Sequence, residues 1–248
     1  MLKTALVTGG SKRIGKAISE GLAEAGYAVA IHYNSSADDA EALAASLRQK
    51  GAKAIAIQAN LNNGAETRIL LSRTIDELGP VNLLINNASV FEEDFASDID
   101  DGIWDQHFQV HVKAPSLLAA AFANQGLSDG LIVNVIDERV WKLTPNFTSY
   151  TLSKSALWTA TKTMAQAFAP TIRVNAIGPG PTLPSARQTQ ADFDHQVQTL
   201  PLKRSPNLEE FSDTILYFVR AKSVTGQMIA LDGGQHLGWQ TPDQYAPE

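Results

Sequence analysis

The sequence predicts an α/β fold, a doubly wound parallel sheet with helices on both faces, and three observations carry that expectation. Short apolar runs alternate with stretches of amphipathic helical spacing along the chain, and a glycine-rich turn directly follows the first run. The length of 248 residues suits one large domain, with no repeat, low-complexity block or linker to divide it. Strand, helix and strand repeated in this way form a parallel sheet covered on both sides.

The elements follow in order. Ala5-Leu6-Val7 forms the first strand, within Thr4 to Thr8, and a helical pattern runs near Ile14 to Ala25. Ala28 to Ile31 and Ala54 to Ile57 are the next strands, separated by an alanine-rich helix from Asp38 to Gln49. Val81 to Ile85, Leu131 to Ile136, Ile172 to Ile177 and Met228 to Leu231 are further strands. Ile103 to Phe122 and the segment after Tyr150 (Ala156, Leu157, Ala160, Met164, Phe168) have helical apolar spacing, and a last helix spans Leu208 to Arg220. Gly178-Pro179-Gly180-Pro181, with Pro184 close behind, marks a long loop at the carboxyl end of a strand. Open α/β sheets bind ligands at such ends, so this loop is a candidate cover for a substrate.

Composition narrows the function. A formal net charge of −6 and a pI near 5.4 argue against nucleic acid or an anionic membrane as the main partner. The chain has no cysteine, which excludes disulfides, thiolate zinc sites and a cysteine nucleophile. Hydrophobic residues make up 44% and charged residues 19%, enough for a globular core. Met1 leads straight into the first strand without a signal-peptide pattern, and no apolar run reaches the ~18 residues of a membrane span, so a cytoplasmic protein is expected. Six carboxylates crowd into Glu92 to Asp101 and are expected to form a solvated loop, the alternative being a lid that repels acidic substrates. His107 and His111 are four apart on a predicted helix with no third ligand evident, so they are expected to pack rather than to hold a metal.

The chemistry gathers in four stretches. Thr8-Gly9-Gly10-Ser11-Lys12-Arg13-Ile14-Gly15 joins the first strand to a helix, and glycines there let the backbone approach a pyrophosphate at the helix's positive end. An NAD site usually places a carboxylate about 20 residues further on to bind ribose hydroxyls. The corresponding stretch here is Ile31-His32-Tyr33-Asn34-Ser35-Ser36, with no acid before Asp38, while Lys12 and Arg13 sit in the turn. NADPH is therefore the expected cofactor. Asn86-Asn87-Ala88-Ser89 follows another strand, where such residues either make a turn or hold a cofactor ribose. Tyr150-x-x-x-Lys154 places a phenol and an ammonium on one helix face, where the cation can stabilise a phenolate. Alone, that pair is most often a solvated surface feature.

Together with the late Asn175-x-x-Gly178-Pro179-Gly180, these motifs resemble the short-chain dehydrogenase/reductase family over essentially the whole chain. The resemblance implies a single Rossmann-like domain over residues 1–248 and a homotetramer, in which Tyr150 gives or takes a proton while hydride passes from the nicotinamide. Lys154 would bind the nicotinamide ribose and lower the tyrosine's pKa. The implied cofactor contacts are Gly9, Ser11, Lys12, Arg13 and Ile14 in the turn, with His32, Tyr33, Asn34 and Ser35 after the second strand. Asn60, Leu61, Asn87, Ala88 and Ser89, then Tyr150, Lys154, Pro179 and Gly180, complete the set. Apolar residues on more than one face of two helices, Val110, Val112, Leu117, Leu118, Leu157 and Trp158, fit either a deep core or a subunit interface, and the resemblance tips that choice towards the interface.

Departures from the family pattern refine the expectation. The serine that many members carry 13 positions before the tyrosine is Asp137 here, and an ionised carboxylate cannot donate to a substrate carbonyl. An aspartate there resembles the pteridine reductase branch and bacterial dihydromonapterin reductases, as do Lys12-Arg13, His32-Tyr33 and Phe91. That resemblance implies a pterin sandwiched between Phe91 and the nicotinamide, with Arg13, Ser89, Asp137 and Tyr150 as the other substrate contacts. Asp137, Tyr150 and Lys154 are then the catalytic set. Asn60 replaces a usual acid, and His111 stands where an asparagine often supports a water linked to the lysine, which puts the proton relay in question. Trp141 and Phe147 are candidates to line the pocket, and the tail beyond Gly238, with Trp239, Pro242 and Pro247, is a candidate to reach a neighbouring subunit. The rival readings are a reductase of ketones, sugars or 3-oxoacyl groups on the same fold, and a cofactor-binding protein without catalysis.

Overall fold

A computed structural model describes residues 3–185 and 187–239. Seven strands form one parallel sheet in the order β3-β2-β1-β4-β5-β6-β7: β1 (Thr4–Val7), β2 (Ala28–Tyr33), β3 (Ala54–Gln58), β4 (Val81–Asn86), β5 (Gly130–Val135), β6 (Ile172–Pro179) and β7 (Met228–Leu231). The strands read as continuous apolar runs because both faces are covered. On one face, α1 (Arg13–Glu24), α2 (Ala37–Gln49) and α8 (Glu209–Arg220) pack Ile18, Leu22, Leu43, Leu47, Phe211 and Phe218 against Val7, Val29 and Ile31. On the other, α3 (Gly64–Leu78), α5 (Ala114–Ala123) and α6 (Thr148–Ala167) pack Leu70, Leu71, Leu118, Phe122 and Ala165 against Leu6, Leu84, Ile132 and Val174. The strand order reverses direction between β1 and β4, and the crevice outside their carboxyl ends is where such sheets bind ligands.

The doubly wound expectation is met, with strand ends within two residues of those read from sequence. One element differs. The single helix expected over Ile103 to Phe122 is α4 (Asp101–Phe108), a π-helical turn (Gln109–Lys113) and then α5. Pro115 supplies the reason: it has no N–H to return to the His111 carbonyl four residues back, and the ladder shifts register, with Ala114 N–H bonding Gln109 O. The acidic run also differs in part, since Asp94 is buried and its two carboxylate oxygens accept from Ser149 N–H at 3.0 and 3.1 Å, satisfying an orphan donor at the start of α6. The remaining acids of the run are exposed. A short helix, α7 (Gln190–Gln198), follows the Pro/Gly loop, as the capping box of Thr189 and Asp192 requires.

Among the described residues no helix is long and apolar enough to cross a membrane. Of the tail beyond Gly238, Trp239 is exposed, and the rest, Pro242 and Pro247 included, lies outside the described residues. Phe122 is fully buried and fills the space a side chain at residue 130 would need. Phe122→Ala is therefore expected to lower unfolding stability by about 3–5 kcal/mol, read from the urea midpoint; a loss below about 1 kcal/mol would mean the layer collapses to refill the space.

Candidate active site

The glycine turn after β1 is held from beneath. Gly9 has a φ of 59°, open to glycine at no steric cost, and a Cβ there would sit 3.0 Å from Ala88 Cα. A Cβ on Gly15 would overlap the Gly9 carbonyl oxygen. His32 is 2% exposed; its Nδ1 accepts from Gly9 N–H at 3.0 Å, and its Nε2–H donates to Ala59 O at 3.0 Å. Burial lowers its pKa to about 4, so the ring is neutral. Asn87 Nδ2 donates to Thr8 O and Gly9 O at 2.9 and 3.0 Å, and Thr8 Oγ1 accepts from the N–H groups of Asn87 and Ala88. His32 and Asn87, read from sequence as cofactor contacts, thus serve as props for the turn that faces the crevice.

The other expected cofactor residues ring the same crevice. Ser11 is buried, and Ile14 packs on the core. Lys12 pairs with Asp39 at 2.9 Å across an exposed surface, and Arg13, with a φ of 50°, donates to Pro184 O and Leu183 O at 3.0 and 3.2 Å. Arg13 thereby ties the turn to the Pro/Gly loop. At the end of β2, Tyr33 is half-buried while Asn34 and Ser35 are exposed. Asn60 Oδ1 accepts from Asn62 N–H at 3.0 Å, and Leu61 is buried beside it. Pro179 ends β6, and Gly180 N–H bonds Leu231 O at 2.9 Å, where a side chain would overlap Asp232.

Tyr150 and Lys154 lie on α6, 5% and 2% exposed, beneath the ends of β5 and β6. Tyr150 O–H donates to Asp137 Oδ2 at 2.8 Å. Asp137 leaves β5 in extended conformation, and its Oδ1 accepts from Arg139 N–H at 2.9 Å. Lys154 Nζ donates to Val135 O at 3.0 Å and sits 5.6 Å from the Tyr150 ring centre. Burial raises the Asp137 pKa, and burial with the Asp137 charge holds the Tyr150 phenol well above its usual value. Lys154, pushed down chiefly by burial, lies at about 8. For Tyr150, burial and the Asp137 carboxylate outweigh the Arg139 charge and the Ser89 hydrogen bond, which pull the other way, and the phenol keeps its proton.

Above this trio lies an aromatic cluster. Phe91 stacks on Phe147 at 4.3 Å and 15°, and meets the Tyr150 ring edge-on at 4.7 Å. Arg139 lies 5.5 and 5.0 Å from the Phe91 and Phe147 ring centres, and Arg187 lies 5.3 and 5.8 Å from the same two. A cation nearly equidistant from two stacked rings flanks their edges. Arg187 also pairs with Glu92 Oε2 at 3.3 Å and donates to Phe91 O. Neither arginine was singled out from sequence, because only the folded loops bring them to Phe91. Ser89 is exposed, with its Oγ 3.0 Å from His111 Nε2. Trp141 turns away from this cluster to His236 and Trp158, whereas Phe147 lines it.

A parallel nucleotide-type sheet with a glycine turn, a buried Tyr-x-x-x-Lys and a carboxyl hydrogen-bonded to the tyrosine defines an oxidoreductase site. Residues 3–195 match the family model for short chain dehydrogenase, and the chain belongs to that family. It is similar to the crystal structure of FolM alternative dihydrofolate reductase 1 from Brucella suis in complex with NADP, at 56% identity and a TM-score of 0.95 over 97% of this chain and 98% of that one. The Brucella canis FolM alternative dihydrofolate reductase 1, also complexed with NADP, is 55% identical with a TM-score of 0.94, covering 97% of this chain and 96% of that one. Among curated sequences, the 3-oxoacyl-[acyl-carrier-protein] reductase FabG of Staphylococcus epidermidis is 31% identical over 244 residues, 96% of this chain and 100% of that protein.

Glu138, next to Asp137, is 3% exposed with an unpartnered Oε2, and burial followed by the Asp137 charge raises its pKa from 4.5 to about 7. A raised carboxyl pKa stabilises the fold below the unfolded value and loses that contribution as pH rises towards 7. Glu138→Gln, neutral throughout, is expected to gain melting temperature relative to the native protein between about pH 5 and 8, and a pH-independent difference would show that Glu138 does not titrate in this window.

Proposed function

We propose that the chain is an NADPH-dependent reductase of a dihydropteridine, adding hydride to a ring C=N while Tyr150 and Asp137 deliver the proton. The observation that carries this reading is the 2.8 Å hydrogen bond from Tyr150 to Asp137 beneath Phe91, which places a proton donor, a second carboxyl and an aromatic platform together. The glycine turn fits a dinucleotide, since Gly9 and Gly15 leave no room for a Cβ where the backbone lines the crevice. Lys154 has two donors beyond its bond to Val135 O, and these suit ribose hydroxyls. The 2′-phosphate is assigned to Lys12 and the exposed Asn34 and Ser35, and the surface pair of Lys12 with Asp39 costs only about 0–1 kcal/mol to exchange. NADP in both FolM structures supports that choice.

The cofactor supplies the hydride. Phe91 is the stacking surface for the pterin, and Ser89 and Arg13 border it. Tyr150 passes its proton to the substrate nitrogen, and Asp137, whose burial favours the protonated form, restores it. An Asp137 carboxylate also accepts from ring N–H and amino groups, which a pterin offers and a simple ketone does not.

A second reading, reduction of a 3-oxoacyl or other carbonyl substrate, is favoured by the FabG relatives. The proposal extends to residues 1–248 as one domain, a cytoplasmic homotetramer, with Val112, Leu117 and Trp158 half-exposed on their helices as support for subunit contact. Val110, Leu118 and Leu157 are buried within the subunit and contribute nothing to that argument. The test is loss of NADPH absorbance with dihydrobiopterin, dihydromonapterin, dihydrofolate and a panel of ketones and 3-oxoacyl thioesters. Turnover confined to the pteridines is expected, and turnover confined to carbonyls would establish the second reading. Asp137→Ser is expected to lower kcat/KM for the pteridine about a hundredfold or more while leaving NADPH affinity within about twofold; equal pteridine turnover would remove Asp137 from the mechanism.

A further inference from the structure

His107 and His111 face α6 and use every ring nitrogen on the protein itself. His111 Nε2 lies 3.1 Å from Val90 N–H and 3.0 Å from Ser89 Oγ, and its Nδ1 lies 2.9 Å from Ser153 Oγ. His107 repeats the arrangement one turn earlier, with Nε2 3.2 Å from Glu92 N–H and Nδ1 2.7 Å from Ser149 Oγ. A backbone N–H only donates, so both Nε2 atoms accept and both Nδ1 atoms carry the proton. Ser153 gives its own proton to Tyr150 O at 2.7 Å, leaving its oxygen to accept from His111. A charged ring would set N–H against N–H at Val90 or Glu92. Burial, Lys154 and His107 hold His111 well below the usual imidazole value; burial lowers His107 too, with Asp94 and Glu92 opposing.

We propose that His107 and His111 are positioning residues that fix Phe91 against Tyr150, a role that rests on Phe91 being the substrate platform of the proposed reaction. Phe91 lies between the two anchored N–H groups, of Val90 and Glu92, and Ser149 and Ser153 lie on either side of Tyr150 in sequence. Each imidazole is a rigid spacer joining the substrate segment to the catalytic helix. The two rings stack at 5.5 Å and both meet Tyr150 edge-on, at 5.8 and 5.4 Å. No hydrogen bond among the described residues joins His111 to Lys154. Its ring nitrogens are taken by Val90, Ser89 and Ser153, so the side chain holds the platform and offers no free nitrogen to a relay.

His111→Asn separates the two roles. With the dihydropteridine, KM is expected to rise about tenfold, the size of one lost buried hydrogen bond, with NADPH affinity little changed. The double variant with Ser153→Ala is expected to be no worse than the worse single one, because both break one link. An unchanged KM, or a higher kcat, would return His111 to the relay and overturn the proposal. Side-chain 15N NMR of the native protein needs no substrate and no variant that folds. Both rings are expected as the neutral Nδ1–H tautomer at pH 7, and an Nε2–H or charged ring there would overturn the proposal. Absence of pteridine turnover by the native protein would sink the substrate reading, with the tautomers still deciding whether the two rings anchor the segment.

Discussion

The site depends on a buried cation. Lys154 is 2% exposed and spends one of its three donors on the Val135 carbonyl. An ammonium out of water is costly unless an anion and hydrogen bonds compensate it, and Asp137 is the nearby acid that raises its pKa. Asp137 is itself pushed towards its protonated form, and Tyr150 binds it at 2.8 Å. The three groups therefore titrate as one cluster, in which the proton's position is set by whichever charge a bound ligand favours. A serine at 137 would leave the lysine without that anion. Aspartate at this position thus changes the electrostatics of the whole trio as well as the contact offered to substrate.

The parts legible in the sequence are those carried by local spacing. The glycine turn and Tyr150-x-x-x-Lys154 are short local motifs and the apolar runs alternate regularly; the structure places the turn at the carboxyl end of β1, and the pair on α6 with Lys154 bonded to the last residue of β5. What sequence reasoning missed depends on how one residue meets another far along the chain. The acidic run averages to a solvated loop, yet Asp94 turns inward because α6 begins with donors that need an acceptor. Pro115 was visible, but the apolar spacing on both sides of it suggested one unbroken helix, and the shift to a π-helical turn follows from a missing N–H rather than from hydrophobic pattern. His32 sits at a position that suggests contact with the cofactor, but its two ring nitrogens are both taken by backbone.

His32, Asn87, His107 and His111 share one physical device. Each side chain bonds backbone groups of a loop at the crevice and joins it to a rigid element. A loop built of Gly9 and Gly10, or of the extended Ser89 to Glu92, has no regular ladder of its own to hold it. Neutral imidazoles and amides suit the task because each offers one donor and one acceptor at fixed separation, and burial keeps the imidazoles neutral. In the proposed reaction, precision at the reacting atoms would then come in part from residues that hold the loops rather than bond the substrate.

The relatives differ in the reactions their names describe, and overall identity does not decide between them, since function lies in the site while identity is summed over the scaffold. The discriminating feature is the sign of the hydrogen bond offered at residue 137. A hydroxyl donates to a carbonyl oxygen; an ionised carboxyl accepts, and a protonated one does both. Burial raises the Asp137 pKa and so favours its protonated form, while the hydrogen bond from Arg139 N–H and the Arg139 charge oppose it. A carbonyl needs only a donor. A ring bearing amino groups and a C=N needs an acceptor to orient it and then a donor to protonate it, and under the proposed reaction the hydrogen-bonded Tyr150–Asp137 pair would meet both demands.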